Sequence, residues 1–248
     1  MRPARPALSL ATLVSALVPA LALAQGLHAP PRVDARRLTP GILSGNILVV
    51  RGTDTVRTGS WASEIALRKD TVIQTLGIND DVLGRVVDTV IDRSPDLQPI
   101  GYSHSGLSGP MAGTTRYAFD TARGSGSITS ADGEVTRVDA RRPRKAWHMA
   151  SFSLVLASSD LREGATASMP MFEVGDTSAV FIDVTVAGSE MVQARACWKV
   201  VTDSLSQMAF WIDRDTRTIR RRTAAPLPGV LIIFEAAQAG ATAAPDPH

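Results

Sequence analysis

The sequence predicts a mainly β protein, a single strongly curved antiparallel sheet (a half-barrel) wrapped around one buried helix. Two observations support this fold class. Apolar and polar residues alternate along Ala194–Glu235, as in strands with one face on a core and one toward water. The segment Trp147–Ser158 has apolar residues at helical spacing over so much of its girth that it must be largely buried. A helix of that kind needs a concave host, which a bent sheet provides.

The alternating stretch contains four predicted strands: Ala196–Thr202, Gln207–Asp213, Arg217–Thr223 and Val230–Glu235. A turn at Asp213–Thr216 joins the second to the third, because aspartate side chains can bond backbone groups two residues on. The third strand is basic, with Ile219 as its one large apolar residue, which is typical of a charged sheet edge. It also suits a patch for an anionic partner. The fourth strand is apolar on both faces and is therefore expected to be central or covered by a helix.

Short runs rich in β-branched residues, bounded by turn residues, predict the remaining strands. They are Ile47–Val50, Trp61–Leu67, Thr71–Leu76, Arg85–Ile91, Leu97–Ser103, Thr114–Phe119, Ser125–Thr129, Val135–Val138, Met171–Val174 and Ala179–Val186. A turn is predicted at Gly188. The Ser/Gly-rich segment His104–Pro110 is predicted to be a loop and is the only plausible seam within the domain.

The N-terminus has the features of a secretory signal peptide over residues 1–24. Arg2 and Arg5 precede the apolar run Leu8–Leu23, and Ala22-Leu23-Ala24 matches the small-residue cleavage pattern. The alternative is a membrane anchor, but the run is shorter than the ~20 residues that span a bilayer and contains a proline. We therefore expect export to the periplasm and at most a peripheral membrane association.

The predicted mature chain has three parts: an extended lead-in over 25–40, a β-rich domain over 41–236, and a disordered tail over 237–248. Of 26 basic residues, two lie in the signal peptide, so 26 − 2 = 24 remain against 24 acidic ones. This neutral balance argues against nucleic acid as the partner. The single cysteine, Cys197, excludes both an internal disulfide and a lipoprotein anchor at the cleavage site. Its position beside Trp198 in a strand favours a small buried hydrophobe over a reactive thiol.

Four stretches resemble a family of exported Gram-negative proteins, the domain of unknown function 3108. They are Val87–Ile100, the helix Trp147–Leu156 with Leu161–Gly164, Val180–Val192, and Ala196–Val200 continued through Ala209–Asp213, Arg217–Arg222 and Val230–Glu235. The resemblance covers most of Ile47–Glu235. It implies a curved antiparallel sheet around a helix, similar to periplasmic lipoprotein carriers, and it brings no catalytic residues.

The chain departs from that family between Val192 and Ala196. A Pro-Ala-Gly turn is frequent there in the family, whereas this chain has only Gln193-Ala194-Arg195. The register of the strands on either side of this turn is therefore left open.

Catalytic and metal-binding patterns are weak. The segment Ser103–Gly109 is not a G-x-S-x-G elbow, so a hydrolase using His104 is the least favoured function. His28, His104, His148 and His248 are too far apart for metal-ligand spacing, and His148 is expected to be a packed or capping residue. No cofactor fingerprint occurs. We therefore expect a protein that is not an enzyme, with no catalytic residue, metal or cofactor.

A cleft between the curved sheet and its helix is the remaining candidate site, because apolar ligands favour concave apolar surfaces. The four tryptophans either line this cleft or belong to the core: Trp61, Trp147, Trp198 and Trp211. The preferred function is binding of a lipid, another hydrophobic small molecule or an envelope protein, with individual ligand-binding residues unassigned. The alternative is a structural or assembly module that acts through a sheet edge such as Arg217–Thr223.

Overall fold

The computed structural model describes residues 28–176, 178–203 and 207–237. The predicted signal peptide and residues 238–248 of the predicted tail lie outside this range. Within it, fifteen strands form one sheet. They are β1 Gly41–Arg51, β2 Asp54–Arg68, β3 Thr71–Asp80, β4 Gly84–Arg93, β5 Gln98–Gly106, β6 Gly113–Phe119, β7 Arg123–Ser130, β8 Val135–Arg141, β9 Trp147–His148, β10 Thr166–Phe172, β11 Val180–Val192, β12 Arg195–Thr202, β13 Ala209–Asp213, β14 Ile219–Leu227 and β15 Val230–Ala236.

The strand order is β8-β7-β6-β5-β4-β3-β2-β1-β15-β14-β13-β12-β11-β10-β9. All neighbours are antiparallel except β9 and β10, which pair in parallel. The sheet is thus two antiparallel meanders joined in the middle, where β1 pairs with β15 from Gly45 opposite Ala236 to Arg51 opposite Val230.

Strong curvature follows from where the chain crosses between edges. The edge strands β8 and β9 are consecutive in sequence and are joined by residues 142–146. A flat sheet would separate them by fourteen spacings of about 4.8 Å, or roughly 67 Å. Six Cα steps span at most about 22 Å. The sheet therefore curls until its ends approach, and the Tyr102 ring on β5 lies 4.9 Å from the His148 ring on β9. The predicted fold class is confirmed.

The helix is shorter than the sequence predicts. The α-helix α1 spans only Phe152–Ser158, after a 3-10 turn at Met149–Ser151. Trp147 and His148 are instead extended, because they pair with Met171 and Phe172 of β10. The His148 side chain accepts a hydrogen bond from the Ala150 N–H, so it caps the turn as expected.

The basic strand is not an edge, and this sequence prediction is wrong. Strand β14 lies between β13 and β15 in the interior of the sheet. Its charges are accommodated by neighbouring strands: the Arg221 Nε donates to Glu235 at 3.0 Å, and the Arg222 guanidinium stacks on Phe234. An assembly module that works through a free edge at Arg217–Thr223 is therefore excluded.

Two predicted breaks are also wrong. Gly188 lies inside β11, where a bulge between Val186 and Gly188 lets the strand continue. His104 belongs to β5, so the predicted loop begins only after Gly106. The open register at 193–195 is resolved as a two-residue turn: Gln193 and Ala194 have φ of 49° and 61°, and Val192 pairs with Arg195. Two successive positive φ values are typical of a type I′ hairpin turn.

The main core lies on the concave side of the sheet, where α1 is enclosed. Leu154 and Leu156 pack with side chains from both halves of the sheet, such as Val72 on β3 and Phe210 on β13. The described part of the lead-in covers this core, with Ala35 and Leu38 buried. The alternation predicted for β13 is confirmed, because Phe210 and Ile212 face this core. Trp211 packs on the opposite face with Cys197, which is buried as predicted.

Candidate functional site

A cavity of about 290 Å³ lies between α1 and the concave face of the sheet. Its lining residues come from the start of β1, from β2 and β3, from α1, from the start of β12, from the β13–β14 turn with the start of β14, and from β15. The lining includes Leu43, Trp61, Ile65, Leu76, Ser153, Leu154, Arg195, Arg217, Arg220, Arg222 and Phe234. A second depression of about 460 Å³, beside Trp147 and Phe181, is more open to solvent.

Strand alternation produces the apolar part of the wall. Trp61, Ser63 and Ile65 lie on one face of β2. Gln74 and Leu76 lie on the same face of the sheet, on the neighbouring strand β3. Antiparallel pairing places Ser63 opposite Leu76 and Ile65 opposite Gln74. Two of these five residues are polar, and they bond to each other: the Gln74 amide donates to the Ser63 hydroxyl at 3.0 Å. The rest of this wall offers apolar surface.

The helix contributes the opposite wall. Leu154 and Ala157 line the cavity although both are buried. Ser153 lies on the same wall and is the one residue of α1 that is not fully buried. Every other residue of the helix is buried, and its one half-buried position faces the cavity.

The remaining wall is basic. Four arginines line the cavity, Arg195, Arg217, Arg220 and Arg222, and none of the described aspartates or glutamates does. Arg195 pairs with Asp213 at 2.8 Å. Arg217 donates to the Ser159 carbonyl at 3.4 Å, and Arg220 donates to the Gln193 side-chain oxygen at 3.2 Å. Two of these four side chains therefore bond only neutral acceptors.

Arg222 is the fourth and has the most unusual surroundings. It lies on the concave face of β14 between Phe210 and Phe234, its direct neighbours on β13 and β15. Its guanidinium carbon is 4.1 Å from the centre of the Phe234 ring. It makes no hydrogen bond or ion pair with any residue that the structure describes. Burial lowers the pKa of Arg222 to about 10, so the side chain stays charged at neutral pH.

Two further donors in the cavity lining lack acceptors. The indole N–H of Trp61 and the Nε–H of Arg220 are buried and have no partner among the described residues. Buried polar groups are nearly always hydrogen-bonded, so unpaired donors at a cavity indicate a missing acceptor.

Of the four tryptophans that the sequence singled out, Trp61 alone lines this cavity. Trp147 is buried, and its indole donates to the Asp96 carbonyl at 2.9 Å. Trp198 packs at the border of the main core under Arg214. Trp211 lies on the opposite face and donates to Glu190 at 2.7 Å. Sequence reasoning missed the arginines of the cavity, although the basic run 217–222 signalled an anionic partner.

His104 lies in a hydrogen-bonded cluster away from the cavity. Its Nδ1 is 2.8 Å from Asp88, and its Nε2 is 3.1 Å from the Met111 carbonyl. The hydrogen bond to Asp88 raises the pKa of His104, with the Met111 carbonyl adding to the effect against desolvation. Both ring nitrogens thus face acceptors, and neither faces a serine hydroxyl as a nucleophile's base would need.

Among the described residues, no three histidine, cysteine or acidic side chains are close enough together to hold a metal ion. No helix in the described ranges is long and apolar enough to cross a membrane.

Sheet and cavity together define a single-sheet β protein with an internal cavity that is apolar on one side and basic on the other. The family described as "Protein of unknown function (DUF3108)" matches residues 44–228, and the chain belongs to it. The chain is also similar to the crystal structure of a beta-barrel-like protein of domain of unknown function DUF1849 from Brucella abortus. That similarity has 8% sequence identity and a TM-score of 0.43, covering 84% of this chain and 98% of the other. No curated protein matches the sequence.

Proposed function

We propose that this protein binds a hydrophobic small molecule, such as a lipid or acyl chain, in the cavity between α1 and the sheet, without catalysing a reaction. The observation that carries the proposal is the apolar wall formed by Leu43, Trp61, Ile65, Leu76 and Leu154. An open cavity with such a wall exposes apolar surface to water, and covering it with a ligand is favourable by roughly 25 cal/mol per Å².

The proposal includes a place of action. The pattern of residues 1–24, with its basic start, apolar run and small-residue cleavage site, supports export to the periplasm. A binder in that compartment would meet lipids and other components of the cell envelope.

The test uses native mass spectrometry on protein expressed with its own N-terminus and recovered from the periplasmic fraction. We expect a chain that begins at Gln25 and carries an apolar adduct that organic extraction removes. Titration of the extracted protein with the neutral fluorophore N-phenylnaphthylamine should then show saturable binding.

A cavity-filling variant locates the site. Ser153→Phe places a ring inside the cavity and should weaken fluorophore binding by about tenfold or more, since about 1.4 kcal/mol of lost contact is enough. Ser189→Phe, on an exposed part of β11, is the matched control and should bind like the wild type. A wild-type protein that carries no adduct and takes up no fluorophore would overturn the proposal. Equal binding by both variants would move the site elsewhere.

A further inference from the structure

The charge on the cavity wall is unbalanced, and the imbalance is local. Arg221 faces the opposite side of β14 and has an acidic partner, Glu235, on the next strand. Arg222, one residue later, faces the cavity and has none among the described residues. On the same strand, Arg221 therefore has an acidic partner, whereas Arg222, on the cavity side, has no acidic partner among the described residues.

An arginine in this position is costly without a counter-charge. A charged side chain that is partly shielded from water is unfavourable unless it is paired and hydrogen-bonded. The stacking of Arg222 on Phe234 offsets only part of this cost. It also leaves the donors at the edge of the guanidinium plane unused. A group that accepts hydrogen bonds and carries negative charge would satisfy them.

The unpaired groups near Arg222 would also bind a hydrogen-bond acceptor. Among the described residues, the buried unpaired polar atoms of the cavity lining are the Trp61 and Arg220 N–H groups, both donors. No carboxylate from these residues lines the cavity to repel an anion. The apolar wall lies beside this basic side, so one molecule could contact both.

Resting on the proposed function, we propose that the ligand is an anionic amphipath, an acyl chain that ends in a carboxylate or phosphate. Arg222 binds the anionic head through its guanidinium donors, Arg220 and Trp61 line the same cavity, and the chain covers Leu76, Ile65 and Leu154. A neutral hydrocarbon would leave Arg222 unpaired, and a small inorganic anion would leave the apolar wall exposed. Only a ligand with an anionic head and an apolar chain contacts both Arg222 and the apolar wall.

The experiment measures binding of three probes with the same chain by isothermal titration calorimetry, below their micelle concentrations. Dodecanoate and dodecyl phosphate carry the two candidate heads, and dodecanol is the neutral counterpart. Arg222→Met removes the charge and the guanidinium donors but keeps an unbranched apolar stem. The matched control is Arg214→Met, because Arg214 is exposed, stacks at 4.2 Å on Trp198 and does not line the cavity.

We expect Arg222→Met to weaken binding of the better anionic probe by about 10- to 100-fold, the effect of a lost charged hydrogen-bond partner. Binding of dodecanol should change by less than about threefold, and Arg214→Met should change neither. Arg222→Lys should fall between the wild type and Arg222→Met for the anion. The ratio of dodecanoate to dodecyl phosphate affinity identifies the head.

The two proposals fail in different ways. If all three probes bind the wild type alike and Arg222→Met has no effect, Arg222 is a structural stacking residue and the anionic assignment is wrong. If no probe binds the extracted wild type, the proposed function itself is wrong. Retained dodecanol binding shows that Arg222→Met is folded, so a selective loss of anion binding cannot come from unfolding.

Discussion

Asp92 on β4 should make the protein less stable as pH rises toward neutrality. Its carboxyl group is fully buried, with one oxygen accepting from the Ser151 hydroxyl at 3.0 Å and the other without a partner among the described residues. Burial raises the pKa of Asp92 from 3.8 to about 7, against the opposing effects of the Ser151 hydrogen bond and the positive charge of Arg142. The folded protein therefore holds a proton on Asp92 that the unfolded chain releases near pH 4.

Proton linkage gives the direction and the size of this pH dependence of stability. Between pH 4 and 7 the folded state binds more protons than the unfolded state, so the free energy of unfolding falls as pH rises. The stabilisation is fully present below pH 3.8 and is lost through about pH 7. A pKa of about 7 in place of 3.8 for Asp92 corresponds to at most about 4 kcal/mol of stability.

Asp92→Asn removes the titration and keeps an oxygen that can accept from Ser151. We expect the variant to exceed the wild type in stability at pH 8 by up to about 4 kcal/mol, with the difference shrinking toward pH 4.5. Urea unfolding at a series of pH values measures this difference directly. Asp70→Asn, at an exposed position in the β2–β3 turn, is the matched control. Equal pH dependence in wild type and Asp92→Asn would refute the reasoning, as would a variant that is less stable at pH 8.

Two other perturbations test the sheet and the lone thiol. Gly45→Ala should destabilise the protein by about 1–3 kcal/mol in urea unfolding, because its Cβ would lie 1.9 Å from the Glu235 carbonyl oxygen. Gly77→Ala, whose Cβ would meet nothing nearer than 3.9 Å, should have little effect, and equal losses would contradict this account. Burial, aided by Asp213, raises the pKa of the Cys197 thiol to about 11, so native protein at pH 8 should resist iodoacetamide until it is denatured. Rapid stoichiometric alkylation of the folded protein would show that the thiol is accessible.

Local patterns in the sequence were enough to predict most of the strands and several turns. The alternation Phe210-Trp211-Ile212 assigned each side chain to a face because strand geometry has a fixed period of two. The turn after β13 was equally local: the Asp213 side chain accepts from the backbone N–H groups of Asp215 and Thr216. The fold class followed from summing such patterns with one apolar helical segment.

Predictions that depended on neighbouring strands were less successful. The basic residues of β14 suggested an edge, because a sequence does not show which side chains lie across the ladder. In the structure, Glu235 and Phe234 on β15 receive Arg221 and Arg222. The predicted helix is too long for the same reason. Trp147 and His148 fit a helical period, but pairing with β10 makes them extended.

The candidate site depends both on local sequence patterns and on the tertiary structure. The sequence determined the composition of each strand and so the apolar face of β2 and the arginines of β14. Only the tertiary structure brought Trp61, Leu154 and Arg222 to one cavity, since they are distant in the chain and lie on separate elements. Periodicity fixes the face on which a side chain lies, because it depends on adjacent backbone angles. The partners on that face depend on how the whole sheet curls, which residues 142–146 and the β1–β15 pairing constrain over the full length of the chain.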